Sequence, residues 1–347
     1  MVRQETVKNR ESNRCQPSRR ELLGAAAAAA LGLFPGANNA FGQATQPAGS
    51  APATDRPAYP PWWLRRYRGR SRVIDIRSNR VLHASVADRF GLGEMLDQGV
   101  QDLTWTRTAE DAWRSVLGSA KRIVLKFNSV GARAVNTNNA LAKVLVERIA
   151  AAGYEPQKIA LAEVPAYLMK ELGTRPVVRG WGAPIEVGGG LEPLAQYLYD
   201  ADAIINVPLL KTHQIAGMSG CMKNLSHALL RHPARYHANG CSPYVGQVIG
   251  SQEVSSRLKL NIVNALRVVV NRGPEAQEED IVAYGGLLLG FDPLAVDNVG
   301  LSILTAERRR RGLPASFEVR YLASAAKMRL GRWRPADVDR AAVEMDG

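Results

Sequence analysis

The sequence predicts an α/β fold, a mainly parallel sheet with helices on both faces. The apolar runs at 123–127, 203–210 and 285–290 are short and almost uninterrupted, which is typical of strands buried on both faces. Between residues 123 and 162, a strand, a helix and a second strand follow one another, and such units form parallel strands with a right-handed crossover. A form of this fold with two lobes and the pocket between them is the alternative.

The first residues predict export. Residues 18–23 read Ser-Arg-Arg-Glu-Leu-Leu, which resembles a twin-arginine export signal, and an alanine-rich apolar stretch follows up to Phe34. That stretch is too short to span a bilayer comfortably, and small residues suit cleavage near residues 40–44. We therefore expect residues 1–44 to be a signal peptide read by the twin-arginine translocase, and the mature protein to be periplasmic or extracytoplasmic without a stable membrane span.

Residues 45–61 are rich in Ala, Pro, Ser and Thr, which predicts a flexible linker, and residues 62–347 are then the α/β domain. Trp62 and Trp63 are expected to pack at its start. The formal net charge of +13 favours an anionic partner, but export argues against nucleic acid. Outside the leader, Cys221 and Cys241 remain, either as a disulfide or as two free thiols. There is no CxxC pair, so the sequence has no ferredoxin-type cluster motif.

The other elements follow from local patterns. We predict a first strand at 72–76, helices at 84–98 and 109–117, and a helix at 139–152 ahead of a strand at 158–162. A helix is expected at 191–199, and residues 258–270 are read as a strand or a helix edge. Asp292 followed by Pro293 is the pattern of an N-cap and first helical residue, which predicts a helix at 294–304.

The segment 203–230 organises the predicted site. Its apolar strand is followed at once by Lys211, Thr212 and His213, then by a glycine-rich loop at 214–220 and a helix that Ser219 can cap. In open α/β sheets, ligands bind beyond the carboxyl ends of the strands. Lys211 and His213 are two residues apart and point the same way on an extended chain.

Other polar residues are predicted at the same edge of the sheet. Lys126 and Asn128 follow the strand at 123–127, and Glu163 ends the next strand. Lys223 lies in the first turn of the predicted helix, where a cation opposes the helix dipole. A bound anion, a carboxylate partner or a covalent adduct would offset that cost; the alternative is a lysine that points into water.

Beyond that helix, His227, His232 and His237 form a cluster, but their spacing matches no tetrahedral metal template. We expect His232 merely to line the pocket or to face solvent, and leave His227 and His237 as candidate metal ligands. Asp297 lies within an apolar helical pattern. A carboxylate that points into the interior there requires a cationic partner, such as Lys223 or a metal.

The residues named so far carry a resemblance. The chain resembles the domain of unknown function three-six-two family over about residues 121–304. The resemblance rests on two motifs, Lys211-Thr212-His213 and Ser219-Gly220-x-x-Lys223-Asn224. Further matches are Lys126, Asn128 and Gly290-Phe-Asp-Pro. The segment from His213 to Lys223 is also similar to the cofactor-holding segment of nickel-pincer lactate racemases, which implies proton transfer at carbon. Cys221 stands where those enzymes have a second glycine.

Together these observations predict an exported enzyme, racemase- or isomerase-like or redox-associated, that acts on a small anionic carboxylate. The cofactor stays open between none, a divalent metal and a metal-containing organic group. A non-catalytic periplasmic protein that binds an anion, metal or cofactor is the rival hypothesis. We assign catalytic roles to His213, Lys223 and Lys211, substrate binding to Lys126, Asn128, Ser219 and Asn224, and metal binding to His227, His237 and Asp297.

Overall fold

The computed structural model describes residues 60–67 and 69–345. The predicted signal peptide and nearly all of the predicted linker lie outside the described residues. The predicted docking of the two tryptophans is confirmed: Trp63 is buried and its Nε1 donates to Leu330 O at 2.8 Å, while Trp62 Nε1 donates to Leu258 O at 3.0 Å. The first described residues are thus fixed to two distant parts of the domain.

A mixed, mostly parallel sheet forms the centre of the described chain, with strand order β13-β1-β12-β11-β8-β4-β5, and β9 joins it by pairing with β11. The strands are β1 (Ser71–Arg77), β2 (Leu82–His83), β3 (Val86–Ala87), β4 (Ile123–Lys126), β5 (Ile159–Ala162), β6 (Trp181–Val187), β7 (Gly190–Ala195), β8 (Ala203–Asn206), β9 (Leu209–His213), β10 (Gly217–Ser219), β11 (Leu258–Val269), β12 (Ile281–Gly290) and β13 (Val338–Glu344).

The parallel part of the sheet carries the site. β8 lies between β4 and β11 and runs parallel to both, and β5 adds to β4 in the same direction. β12 is antiparallel to both of its neighbours, β1 and β11. Every residue of β4, β5 and β8 is buried, as expected for strands covered on both faces. The predicted fold class is therefore confirmed, with β12 as an antiparallel insertion.

Helices cover both faces of this sheet. They are α1 (Trp63–Arg66), α2 (Arg89–Thr104), α3 (Ala109–Leu117), α4 (Ala132–Val135), α5 (Asn138–Ala151), α6 (Ala166–Glu171), α7 (Gln196–Asp200), α8 (Cys221–Asn224), α9 (Ala238–Cys241), α10 (Tyr244–Gly250), α11 (Gln252–Ser255), α12 (Pro293–Arg310) and α13 (Arg320–Lys327). Leu289 packs against Gly99 of α2, and its neighbour Leu288 faces Gly300 of α12. Because successive residues of a strand point to opposite faces, α2 and α12 lie on opposite sides of the sheet.

Several predicted elements are confirmed with small changes of boundary. They include β1, α3, β4, α5, β5 and β12. The predicted cap of α12 is also confirmed, because the Asp292 carboxylate accepts hydrogen bonds from Leu294 N at 3.0 Å and Ala295 N at 3.1 Å. The ambiguous segment at 258–270 is the strand β11.

Other predictions were wrong. The apolar run 203–210 is two strands, β8 and β9, because the chain breaks at Val207 and Pro208; β11 pairs with β8 along its first part and with β9 further on. The helix predicted at 84–98 begins only at Arg89, where Asp88 caps it, and the preceding residues form the pair β2–β3. Most of the helix predicted at 191–199 belongs to the hairpin β6–β7.

The described residues fall within one compact unit, so a form with two lobes is not the one observed. Among them, no helix combines the length and the apolar character needed to cross a bilayer.

Candidate functional site

The carboxyl ends of β4 and β8 hold a row of polar side chains. Lys126 ends β4, Asn206 ends β8, and Asn261 lies in β11, and the sheet register places these three residues side by side. Asn206 Nδ2 donates to Asn261 Oδ1 at 2.9 Å, and Asn261 Nδ2 donates to Gly290 O at 3.1 Å. The row is fully buried, and its hydrogen bonds tie the end of the parallel strands to β12.

Lys126 is completely buried, and its ammonium makes three contacts. Nζ lies 2.7 Å from Glu163 Oε1 and donates to Phe127 O at 2.7 Å and to Asn224 Oδ1 at 2.8 Å. Burial lowers the pKa of Lys126, and Glu163 acts in the opposite direction. Burial alone would raise the pKa of Glu163, but Lys126 and the hydrogen bonds from Ser129 hold that pKa below its ordinary value. Lys126 therefore has a carboxylate partner, as its burial requires.

Asn224 and Asn128 connect this ion pair to the rest of the site. Asn224 Oδ1 accepts from Lys126 and also from Asn128 Nδ2 at 3.1 Å, while Asn224 Nδ2 donates to Asn206 Oδ1 at 2.8 Å. Asn128 Oδ1 in turn accepts from Lys211 Nζ at 3.1 Å. The orientation of each amide is fixed by its neighbours, so the predicted site residues Lys126, Asn128, Lys211 and Asn224 form one hydrogen-bonded group.

Lys211 lies in β9 and is buried without a carboxylate partner among the described residues. Besides Asn128, its ammonium donates to Val130 O. Burial, followed by the charges of Lys126 and Lys223, lowers the pKa of Lys211 to about 7, against an opposing effect of Glu163. Two carbonyl oxygens accept from its ammonium but leave its charge uncompensated, which is costly inside a protein.

Lys223 is also buried, at 6% exposure, so the interpretation that it points into water is wrong. The helix α8 has only four residues, so the helix dipole that we invoked is a minor influence. The Lys223 ammonium lies 3.4 Å from His237 Nε2 and forms a hydrogen bond with Cys241. Burial lowers the pKa of Lys223 to about 8. No carboxylate of the described chain pairs with it.

His213 ends β9 and lies beside both of these lysines, with its ring stacked on that of His237 at 6.0 Å between centroids. The backbone N–H groups of Ile215 and Ala216 donate to its Nδ1 at 3.2 and 3.3 Å. The proton of the neutral ring is therefore on Nε2. Burial, followed by the charges of Lys223 and Lys211, lowers the pKa of His213 to about 3. His213 is thus a neutral donor at neutral pH.

The predicted cap of α8 by Ser219 is wrong, and Asp297 caps this helix instead. The predicted glycine loop is a hairpin in which β10 pairs with β9, and Ser219 lies opposite Lys211 without capping α8. Asp297, which we assigned to a metal or to Lys223, accepts hydrogen bonds from Cys221 N and from Met222 N, the latter at 3.0 Å. Asp297 is therefore the N-terminal cap of α8, supplied from α12.

Of the three clustered histidines, His227 and His237 lie together and His232 lies against Glu192. His232 N and Nδ1 both contact the Glu192 carboxylate, at 2.6 and 3.3 Å, and its side chain is partly exposed. His227 and His237 are brought together, with ring centroids 4.6 Å apart and their planes at 73°. Cys241 joins them, and the ligand atoms of the three side chains all lie within 4.8 Å of one another. Sequence reasoning missed Cys241 in this group.

The two cysteines are free and buried, so the alternative with a disulfide is not observed. Burial raises the pKa of Cys221 well above its usual range, and the Asp297 carboxylate acts in the same direction. A helix start would lower a thiol pKa, but burial and the carboxylate outweigh that effect at Cys221.

A groove of about 520 Å³ lies at the same edge of the sheet. Glu163 and Asn138 line it, and both contact the buried group, since Glu163 pairs with Lys126 and Asn138 Nδ2 donates to Asn128 O at 3.0 Å. Arg133 adds a cation to the lining. The segment 128–139 supplies most of the groove wall, and Lys211 bonds to that segment at Asn128 and Val130. Lys211 is therefore bonded to the segment that lines the groove.

Comparison with known proteins gives a family but no activity. The model of the family described as "Domain of unknown function (DUF362)" matches residues 123–302, which lie within the span of our sequence resemblance. No curated protein matches the chain.

Two similar solved structures are the lactate racemase apoprotein from Thermoanaerobacterium thermosaccharolyticum and a structural genomics target from Thermotoga maritima. Each is 13% identical over 66% of this chain, with TM-scores of 0.35 and 0.38. The chain covers 56% and 60% of their lengths, less than two thirds of either. Similarity at this level carries no argument about activity.

The burial of Asp297 predicts a specific pH dependence of stability. Burial raises the pKa of Asp297 to about 7, although the N–H groups of Met222 and Cys221 oppose this. The folded-state pKa lies above that of an unfolded aspartate, about 3.9. The stabilisation due to this proton is therefore complete below pH 4 and is lost as the pH rises to 7. Asp297→Asn should flatten this fall, measured as the free energy of unfolding in urea between pH 4.5 and 8.

Asp111→Asn is the matched control, because Asp111 is an exposed acid in the first turn of α3. The difference in stability between wild type and this control should be independent of pH. If Asp297→Asn shifts stability by the same amount at every pH, then Asp297 does not titrate in this range and the assignment is wrong.

Proposed function

The chain belongs to the family described as "Domain of unknown function (DUF362)", and we propose that it is an enzyme that binds a small carboxylate among its three buried lysines. One observation carries the proposal: Lys126, Lys211 and Lys223 are buried together, and Glu163 is the only carboxylate of the described chain paired with any of them. A bound anion would supply the missing negative charge.

The geometry supports an acid–base role within this site. An amine whose pKa is near 7 is neutral in about half of the molecules at neutral pH, and a neutral lysine can accept a proton. Lys211 meets this condition. His213 presents an N–H rather than a lone pair, so it suits donation to a carboxylate or to an oxyanion. Proton transfer at the carbon next to the substrate carboxylate is the reaction that this pair suits.

Lys211 should make carboxylate binding dependent on pH. The charged groups around it are Lys126, Lys223 and Glu163, with His213 neutral. An anion favours the protonated lysine, so its binding should take up a proton between pH 7 and 10, and affinity should fall as the pH rises above 7. We expect Lys211→Met to weaken binding by about 10- to 100-fold, as for a lost charged hydrogen bond, and to reduce this proton uptake to the part that Lys223, with a pKa of about 8, supplies.

The measurement is calorimetry with a panel of 2-hydroxy and 2-keto carboxylates, in two buffers of different ionisation enthalpy, with the corresponding neutral amides as ligand controls. Lys170→Met is the matched variant, because Lys170 is exposed. Exchange of the α-hydrogen in deuterated water, followed by NMR, tests turnover. A carboxylate affinity that changes neither with pH nor in Lys211→Met would contradict the proposal. Binding without exchange of the α-hydrogen would favour the rival, a non-catalytic binding protein.

The donor role of His213 has its own test. His213→Ala removes the N–H and should weaken carboxylate binding about tenfold, the usual effect of one lost hydrogen bond. His213→Gln offers an N–H without a titratable ring and should retain most of the affinity. His83→Ala, at an exposed position, should change nothing. Equal losses in the Ala and Gln variants would show that the imidazole itself is needed and that donation is not its role.

We also propose export by the twin-arginine route, which rests on the segment 18–23 and lies outside the described residues. Arg19→Lys with Arg20→Lys should leave the protein unprocessed in the cytoplasm, whereas wild type should be recovered from the periplasm with a mass that fits cleavage near residues 40–44. Arg14→Lys is the control. Cell fractionation and intact mass spectrometry decide between these outcomes, and periplasmic recovery of the double variant would exclude this route.

A further inference from the structure

His227, His237 and Cys241 meet although the sequence spaces them irregularly. His227 lies in the turn after α8, and the chain then returns so that His237 precedes α9 and Cys241 ends it. Asn239, Gly240 and Cys241 all have positive φ, of 51°, 62° and 65°. This left-handed backbone, which costs energy for the two residues other than glycine, turns Cys241 back towards the histidines.

The hydrogen bonds of the rings leave one lone pair on each histidine for a metal. His237 Nδ1 lies 3.1 Å from Pro233 O and donates to it, which leaves Nε2 as the acceptor. His227 Nε2 donates in the same way to Tyr236 O at 3.0 Å, which leaves Nδ1. An N–H bonded to a backbone carbonyl is the usual support of a metal-binding histidine, because it fixes the tautomer and makes the other nitrogen more basic.

The contact of His227 Nδ1 can be released at small cost. Its neighbour is the Ser226 hydroxyl at 3.1 Å, and that hydroxyl has a second acceptor in Lys223 O at 3.2 Å. The serine can therefore keep a hydrogen bond when the nitrogen binds a metal.

Lys223 already shows that this group attracts a cation. Its ammonium lies 3.4 Å from His237 Nε2 and is hydrogen-bonded to Cys241, so it contacts two of the three ligand side chains. A metal ion that binds the same lone pairs must displace this ammonium. The two cations therefore compete for one set of donors.

We propose that His227, His237 and Cys241 form a three-ligand site for a Zn²⁺-class divalent cation, with a fourth position open to substrate or water. Two imidazole nitrogens and a thiolate select zinc and similar ions over Mg²⁺ and Ca²⁺, which prefer oxygen. Three protein ligands and one open position are typical of catalytic rather than structural zinc. On binding, the metal–sulfur bond forms, the Cys241 thiol proton is released to solvent, and both histidines bind as neutral rings.

The test uses Co²⁺ as a spectroscopic probe on the full chain, with no organic anion present, so that the result is independent of the carboxylate proposal. Co²⁺ should bind at one equivalent, with a thiolate-to-cobalt charge-transfer band and the intense visible bands of a four-coordinate site. Added Zn²⁺ should abolish both and raise the melting temperature. Cys241→Ala should remove the charge-transfer band, and His237→Ala should weaken Co²⁺ binding at least tenfold.

Three further variants complete the test. Lys223→Met should bind Co²⁺ more tightly than wild type, because the competing ammonium is gone. Cys221→Ala and His83→Ala are the controls and should behave as wild type, since neither residue belongs to the group. Circular dichroism checks that every variant is folded. A charge-transfer band that survives Cys241→Ala, or the absence of any band in folded wild type, would overturn the site.

Discussion

The ion pair between Lys126 and Glu163 is the contact on which the rest of the site depends. It places a charged ammonium at the end of β4, in the interior, with a carboxylate 2.7 Å away. Asn224 accepts from that ammonium and thereby fixes the start of the segment that follows α8. Asn128 bonds to the same oxygen and orients its own carbonyl towards Lys211. Loss of the pair would leave an unpaired buried charge and remove the anchor of both amides.

The positive charge of the three buried lysines exceeds the negative charge placed beside them. The five other buried carboxylates of the described chain have different partners. Asp292 caps α12, Asp297 caps α8, Asp75 pairs with Arg340, Asp280 pairs with Arg272, and Glu192 contacts His232 and Tyr236. None of them faces the lysines. A fold that needed only stability could have paired Lys211 or replaced it with an apolar residue, since buried charges rarely stabilise by themselves. The carboxylate that we propose as ligand would compensate this charge.

Sequence patterns predicted what depends on local physics. The unit β4–α5–β5, the helix α3 and the cap of α12 follow from periodicity and from Asp292 with Pro293. The edge of the sheet that gathers Lys126, Asn128 and Lys211 follows from parallel topology. Asp297 could not be predicted as a cap, because its partners Cys221 and Met222 are more than 70 residues away in sequence. The hairpin β6–β7 was missed for a related reason, since pairing rather than local propensity decides its structure.

Asn206 and Asn261 were visible as polar interruptions of apolar strands, and this signal could have placed them in the site. A buried amide in a central strand must have a partner, so an asparagine there indicates a polar network at that depth. Cys241 carried no comparable signal, because its place beside His237 depends on three consecutive left-handed residues.

Lys223 belongs both to the proposed carboxylate site and to the surroundings of the proposed metal site. Its ammonium contacts His237 and Cys241 on one side, and its charge acts on Lys211 and His213 on the other. A metal that takes the donors of His237 and Cys241 would free this ammonium and add a charge of its own, and both changes favour an anion nearby. Because coupling between two binding sites is reciprocal, a bound carboxylate would strengthen the metal site by the same factor. In the two sites that we propose, one lysine would thus make anion binding and cation binding cooperate rather than compete.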